Sequence, residues 1–145
     1  MLIPRSPLML GFLLLMALTC SLGFVDAKPD AELIVTRYFE SRVSGDVDEA
    51  LSLYADLFFE VTPRPEWQES LVMLDRKLGP PGDRTLTAWN VFVGAREAGA
   101  GTYVALEYDV EYAFYPAHES FRIFTPAWGW PASIISHHVN SPAFD

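Results

Sequence analysis

Apolar positions along this chain change their period once, near residue 85, and the change divides the molecule into two kinds of structure. Before it the spacing is helical. Ala31, Ile34, Val35, Tyr38 and Phe39 recur on one face of a segment opened by Asp30, a capping carboxylate, and closed by Ser44-Gly45. Asp46-Val47-Asp48-Glu49 reads as a capping box for a short second helix carrying Val47, Ala50, Leu51 and Tyr54. Asp56 to Val61 has no clear period and is left unassigned. A third helix begins near Pro63 or Pro65, buries Trp67, Leu71, Leu74 and Leu78, and stops at Gly79-Pro80-Pro81-Gly82.

From Thr85 the period is two. Thr85 to Val93 predicts a strand, and Arg96 to Gly101 a turn. Thr102 to Phe114 alternates Val104, Leu106, Tyr108, Val110, Tyr112 and Phe114 with Tyr103, Ala105, Glu107, Asp109, Glu111 and Ala113, the pattern of a half-buried antiparallel strand. Strands are also predicted over Glu119 to Thr125 and Ser133 to Asn140. A turn centred on Pro116-Ala117 would set Tyr112 opposite Phe121, Val110 opposite Ile123 and Glu111 opposite Arg122. Helices first and a four-stranded meander last predict an α+β domain, with the helices packed on a strongly curved antiparallel sheet.

Ahead of this domain, Arg5, the apolar run Leu8 to Leu18 and the small residues up to Ala27 have the plan of a secretory signal peptide. The expected organisation is a leader over 1–27 and one domain over 28–145, exported to the periplasm or beyond. Two alternatives stay open: retention of the apolar run as a membrane anchor, and lipidation at Cys20. Cleavage would remove Cys20, the one cysteine, so stability must come from the core. It would remove Arg5 and Asp26 together, leaving the net charge at −9. With that charge and no Lys/Arg run, nucleic acid and, after cleavage, anionic membranes are not expected partners.

Tyr38-Phe39-x-x-Arg42-x-x-Gly45-Asp46-x-x-x-Ala50-Leu51 resembles the opening helix pair of the nuclear-transport-factor-two-like superfamily, which includes ketosteroid isomerase and polyketide-cyclase relatives. Trp67-x-x-x-Leu71-x-x-x-x-Arg76-x-Leu78-Gly79 is similar to a motif of small exported bacterial members of uncharacterised function. The resemblance implies a cystatin-like cone with a pocket at its wide end and frequent dimers. It implies no activity, because the fold hosts enzymes and binding modules alike.

Candidate chemistry follows from residues that break the pattern. Arg42 falls on the apolar face of the first helix, where the family pattern has leucine. It either binds an anionic ligand in the pocket or packs its stem and sends its head to a rim carboxylate. Tyr38, Trp89, Tyr108 and Tyr112 are assigned to the interior, as ligand-lining or core residues. Trp128 and Trp130, in a proline-bounded loop, are candidates for a partner contact. Glu107, Asp109 and Glu111 share the polar face of one strand and are expected in solvent. Adjacent His137 and His138 point to opposite faces, so no shared metal is expected; one of them could face the pocket as a general base. No nucleophile triad or phosphate loop is present, and no cofactor is expected. The favoured reading is an exported, non-catalytic binding domain for a small apolar or weakly anionic ligand or a protein partner, with a homodimer as one form. The alternative is a small isomerase or dehydratase-type enzyme. Intact-mass measurement of the exported protein is expected to give a chain beginning at Lys28; a mass that includes Leu8 to Leu18 would establish the anchor instead.

Overall fold

The computed structural model describes residues 27–129 and 131–145. The expected leader, with Arg5 and Cys20, lies outside the described residues except for Ala27, and so does Trp130. Four helices come first: α1 (Ala27–Ser44), α2 (Val47–Ser52), α3 (Asp56–Val61) and α4 (Arg64–Leu78). Four strands follow, β1 (Pro81–Arg96), β2 (Gly99–Tyr112), β3 (Pro116–Pro126) and β4 (Ser133–Asn140), then a short 3-10 turn, Pro142–Phe144. The strands form one antiparallel meander in the order β1-β2-β3-β4. This is the α+β architecture that the change of period predicts. Register irregularities in the β1–β2 and β3–β4 pairs supply local bends, and the helices lie on one face. Among the described residues no helix is long and apolar enough to cross a membrane.

Local chemistry accounts for most boundaries. The Asp46 carboxylate accepts from the Glu49 backbone N–H at 3.0 Å and starts α2. Asp30 lies in the first turn of α1 rather than capping it, because the helix already begins at Ala27. The unassigned segment Asp56 to Val61 is α3. It has no side-chain cap and is held by packing, with Phe58 and Phe59 against Tyr54 and Trp67. β1 starts at Pro81, four residues before the expected Thr85, since a proline is tolerated at the first position of an edge strand.

The β2–β3 register corrects the expected one. Tyr108 faces Glu119, Leu106 faces Phe121 and Val104 faces Ile123. Strand β2 ends at Tyr112 because the next two amides are engaged elsewhere: Ala113 N–H donates to Pro80 O at 3.0 Å and Phe114 N–H to Leu78 O at 2.8 Å. The offset from the expected pairing is even, so every side chain keeps its face. Arg122 therefore meets Glu97 at 2.7 Å instead of Glu111.

The core joins Ile34, Val35 and Tyr38 of α1, Leu51 of α2 and Leu71 and Leu78 of α4 to Leu106, Phe121, Ile123 and Ile134 of the sheet, all at 1% exposure or less. Gly79 closes α4 at φ +77°, where an added Cβ would lie 2.9 Å from Ala113 Cβ and 3.1 Å from the Phe114 ring. Gly45 has φ +75° but nothing within 4 Å. Gly45→Ala should lower stability by about 1 kcal/mol from backbone conformation alone. Gly79→Ala should lower it by about 2–4 kcal/mol, because overpacking adds to that strain. Urea denaturation of both variants reads the difference; equal losses would remove the packing component.

Candidate functional site

Helical spacing places Tyr38 and Arg42 one turn apart on the inner face of α1. Strand alternation places Tyr112, Glu119 and His137 on the inner faces of β2, β3 and β4. His137 pairs across with Phe121, so Glu119, two residues away on β3, is its diagonal neighbour. Tyr54 reaches the same point because the chain between α2 and α3 runs beside β4. Ile134 N–H donates to Leu53 O at 2.8 Å, and Ala55 N–H donates to Ile134 O at 2.9 Å.

These side chains form a buried polar chain through the apolar interior. The Tyr112 hydroxyl donates to Glu119 Oε1. Glu119 Oε2 lies 2.7 Å from His137 Nε2, and His137 Nδ1 lies 2.8 Å from the Tyr54 hydroxyl. A neutral imidazole protonated at Nε2 satisfies both contacts: it donates to the carboxylate and accepts from the phenol. The Glu119 and His137 side chains are both at 0% exposure. Phe121 stacks on the imidazole at 4.1 Å, while Tyr38 and Trp67 meet it edge-on. Burial pushes the His137 pKa below the ordinary imidazole range, and the Glu119 contacts only partly oppose this. Burial also drives Tyr38, Tyr54 and Tyr112 well above the ordinary phenol range, with further upward contributions from nearby oxygens, so all three stay protonated.

Beside that chain, Arg42 bridges interior and rim. Its Nη1 donates to the Tyr38 hydroxyl at 2.5 Å, and its Nε and Nη2 donate to Asp75 Oδ1 at 3.1 and 2.5 Å. The Arg42 side chain is 2% exposed and that of Asp75 is 39% exposed. Burial works against the guanidinium charge, but the Tyr38, Tyr112 and Asp75 oxygens more than offset it, and Arg42 stays a cation.

Of the five interior candidates, Tyr38, Arg42 and Tyr112 thus come together. Tyr108 packs its ring against Phe39 and Phe121, and burial raises its pKa to about 12. Trp89 corrects the expectation. It shares the inner face with Leu106, but it stands on the edge strand and is 55% exposed, with Lys28 Nζ of α1 5.2 Å above its ring. Trp128 is 82% exposed, and Trp130 lies outside the described residues. His138 points outward, and His118 sits between Asp109 and Glu107 on the solvent face. Among the described residues no group of three or more His, Cys, Asp or Glu is placed to hold a metal ion.

Glu119, Tyr54 and Asp75 were not singled out from the sequence. Glu119 had a readable signal, since it shares parity with Phe121 and Ile123 and so breaks the apolar face of β3. Tyr54 and Asp75 gave none, because each reaches the site through tertiary packing.

Two cavities stand out among the described residues, and neither touches the polar chain. One, of about 260 Å³, lies between the end of α1 and the start of β1, lined by Phe39, Glu40, Val43, Ser44, Pro81, Gly82 and Arg84. The other, of about 430 Å³, lies between the outer face of the hairpin and the C-terminal tail, around Asp109, Glu111, His118 and Asn140.

The depressed imidazole pKa sets a pH dependence. Below about pH 6.5 the unfolded chain binds a proton at residue 137 that the native site refuses, so stability is highest above this range and falls as pH falls. The loss should approach about 1.4 kcal/mol per pH unit until the native imidazole protonates. His137→Gln should remove this component in urea titrations from pH 7 to pH 5; an unchanged slope would assign it to other groups.

No protein-family model matches the chain, and no curated protein matches it. Among solved structures the chain is similar to a crystal structure from Streptomyces avermitilis described as a candidate dehydratase from the NTF2-like family. The sequence identity is 16%, the match covers 79% of this chain and 97% of that one, and the TM-score is 0.48.

Proposed function

We propose that this protein is an exported binding domain that works without catalysis. One observation carries the reading: the titratable side chains of the interior are engaged with one another, and the Trp67 Nε1–H is the buried side-chain donor left without a partner among the described residues. Tyr112, Glu119, His137 and Tyr54 form a continuous chain, while Tyr38 and Arg42 are joined to Asp75. A ligand entering there would have to displace internal partners already in place.

The cleft beside Arg84 suits a small apolar or weakly anionic ligand better. Phe39, Val43 and Pro81 supply apolar wall. The Arg84 guanidinium lies over the Phe39 ring at 4.9 Å and donates to Thr36 Oγ1 at 2.9 Å; the rest of its fork has no hydrogen-bonded partner among the described residues. A fork with free donors is suited to a carboxylate or similar anion. Glu40 on the same wall disfavours a strongly charged one.

A second reading, acid–base chemistry of the isomerase or dehydratase type, has its own support. A neutral imidazole oriented by a carboxylate and bonded to a phenol is the arrangement of a positioned general base. It requires the interior to open, since both side chains of the pair are sealed from solvent.

Native mass spectrometry of the protein purified from its own compartment separates these readings. A small molecule retained by the unsubstituted chain and lost from Val43→Trp, which fills the cleft, supports the first. Loss from His137→Gln with retention in Val43→Trp would move the site to the interior. A chain that carries nothing would defeat the small-ligand version.

A further inference from the structure

The two edges of the sheet are treated differently by the fold. Strand β4 has 8 residues, and the chain from Leu53 to Ala55 runs beside its first half, taking the amide and carbonyl of Ile134. Strand β1 has 16 residues, and among the described residues only β2 hydrogen-bonds to its backbone. An uncovered edge is ordinarily protected by charge, by proline within the strand or by shortness. Here the bulge between Leu86 and Ala88 lies to one side, and no charged residue occurs from Thr85 to Ala95. From Ala88 to Gly94 the ladder with β2 is regular.

That regular run is symmetric about Val91 in the property that matters. Trp89 and Val93, two residues to either side, are both on the inner face and are 55% and 53% exposed. We propose that β1 pairs with β1 of a second copy of this chain, antiparallel and with the two-fold axis at Val91, so that the two sheets continue into one. This register sets Trp89 against Val93 of the second copy, and Val93 against Trp89 of the second copy. Both exposed large apolar side chains of β1 are covered in each molecule by one self-complementary contact. On the other face Asn90 meets Phe92, and Ala88 meets Gly94. Arg84 and Arg96 fall outside the paired run, so no like charges oppose each other within it. The interface is independent of the Arg84 cleft and of the interior polar chain, so it can stand or fail without either ligand reading.

Sedimentation of the full chain in a Cys20→Ala background tests it, because every thiol is then an introduced one. The chain should sediment as a dimer, and Val93→Lys should weaken association at least about tenfold, equivalent to about 1.4 kcal/mol. The register has its own readout. Directly opposed residues of an antiparallel pair bring their Cβ atoms close to disulfide reach. Val91→Cys should therefore oxidise to a covalent dimer by itself. Trp89→Cys and Val93→Cys should cross-link with each other when mixed, and poorly when alone. Circular dichroism confirms that each variant is folded, and Val91→Cys reports on the contact even if Val93→Lys does not fold. A chain that stays monomeric at high concentration overturns the proposal. So does a dimer that keeps its affinity in folded Val93→Lys and forms no disulfide through Val91→Cys.

Discussion

The contact between Glu119 and His137 constrains the rest of this structure. Two titratable groups taken fully out of water are tolerable only if every polar atom has a partner of the right kind. Each partner comes from a different part of the chain: Tyr112 from β2, Tyr54 from the passage between α2 and α3, Glu119 from β3 and His137 from β4. Aromatic rings then close over the imidazole from α1, α4 and β3. The helical layer and the sheet are therefore joined by a fixed set of directional bonds as well as by apolar burial. Directional bonds specify one arrangement where apolar contact would tolerate several.

Arg42 extends the same logic to the edge of the interior. A guanidinium on an apolar helix face must find oxygen atoms, and it finds one deep, on Tyr38, and one at the rim, on Asp75. Of the two sequence readings of Arg42, an anionic ligand in the pocket or a packed stem with its head at a rim carboxylate, the contact with Asp75 corresponds to the second. Asp75 now occupies the position that an external anion would take, which is why the more accessible donors of Arg84 are the better ligand candidates.

Much of the fold was legible because it rests on periodicity. The change of spacing near residue 85 separates helices from strands, and the alternation in β2 identifies its inner face. What periodicity does not carry was misread. The hairpin register depended on Ala113 and Phe114, whose amides bond to carbonyls around the end of α4, a tertiary fact that no strand pattern announces. Helix α3 is uncapped and held by packing, so its residues show little sign of it. At the site, Tyr38, Arg42 and Tyr112 were found because they break or enrich an apolar face. Trp89 was placed on the correct face, yet it lies on an edge strand, where one flank of the ring has no neighbouring strand and the side chain stays exposed. Glu119 was passed over because no register was assigned between the last two strands, so nothing in the sequence set it beside His137.

The meander has a consequence for how the chain matures. Its acid is laid down in β3 and its imidazole in β4, the last of the four strands. A nascent chain presents its amino-terminal part first, so Tyr38, Tyr54 and Tyr112 are made well before the ring that links them. Until β4 arrives, the carboxylate on β3 has no imidazole and the aromatic shell has nothing to close upon. A chain without residue 137 would keep Tyr54 and Glu119 yet lack the ring that joins them, leaving a buried phenol and a buried acid each short of a partner.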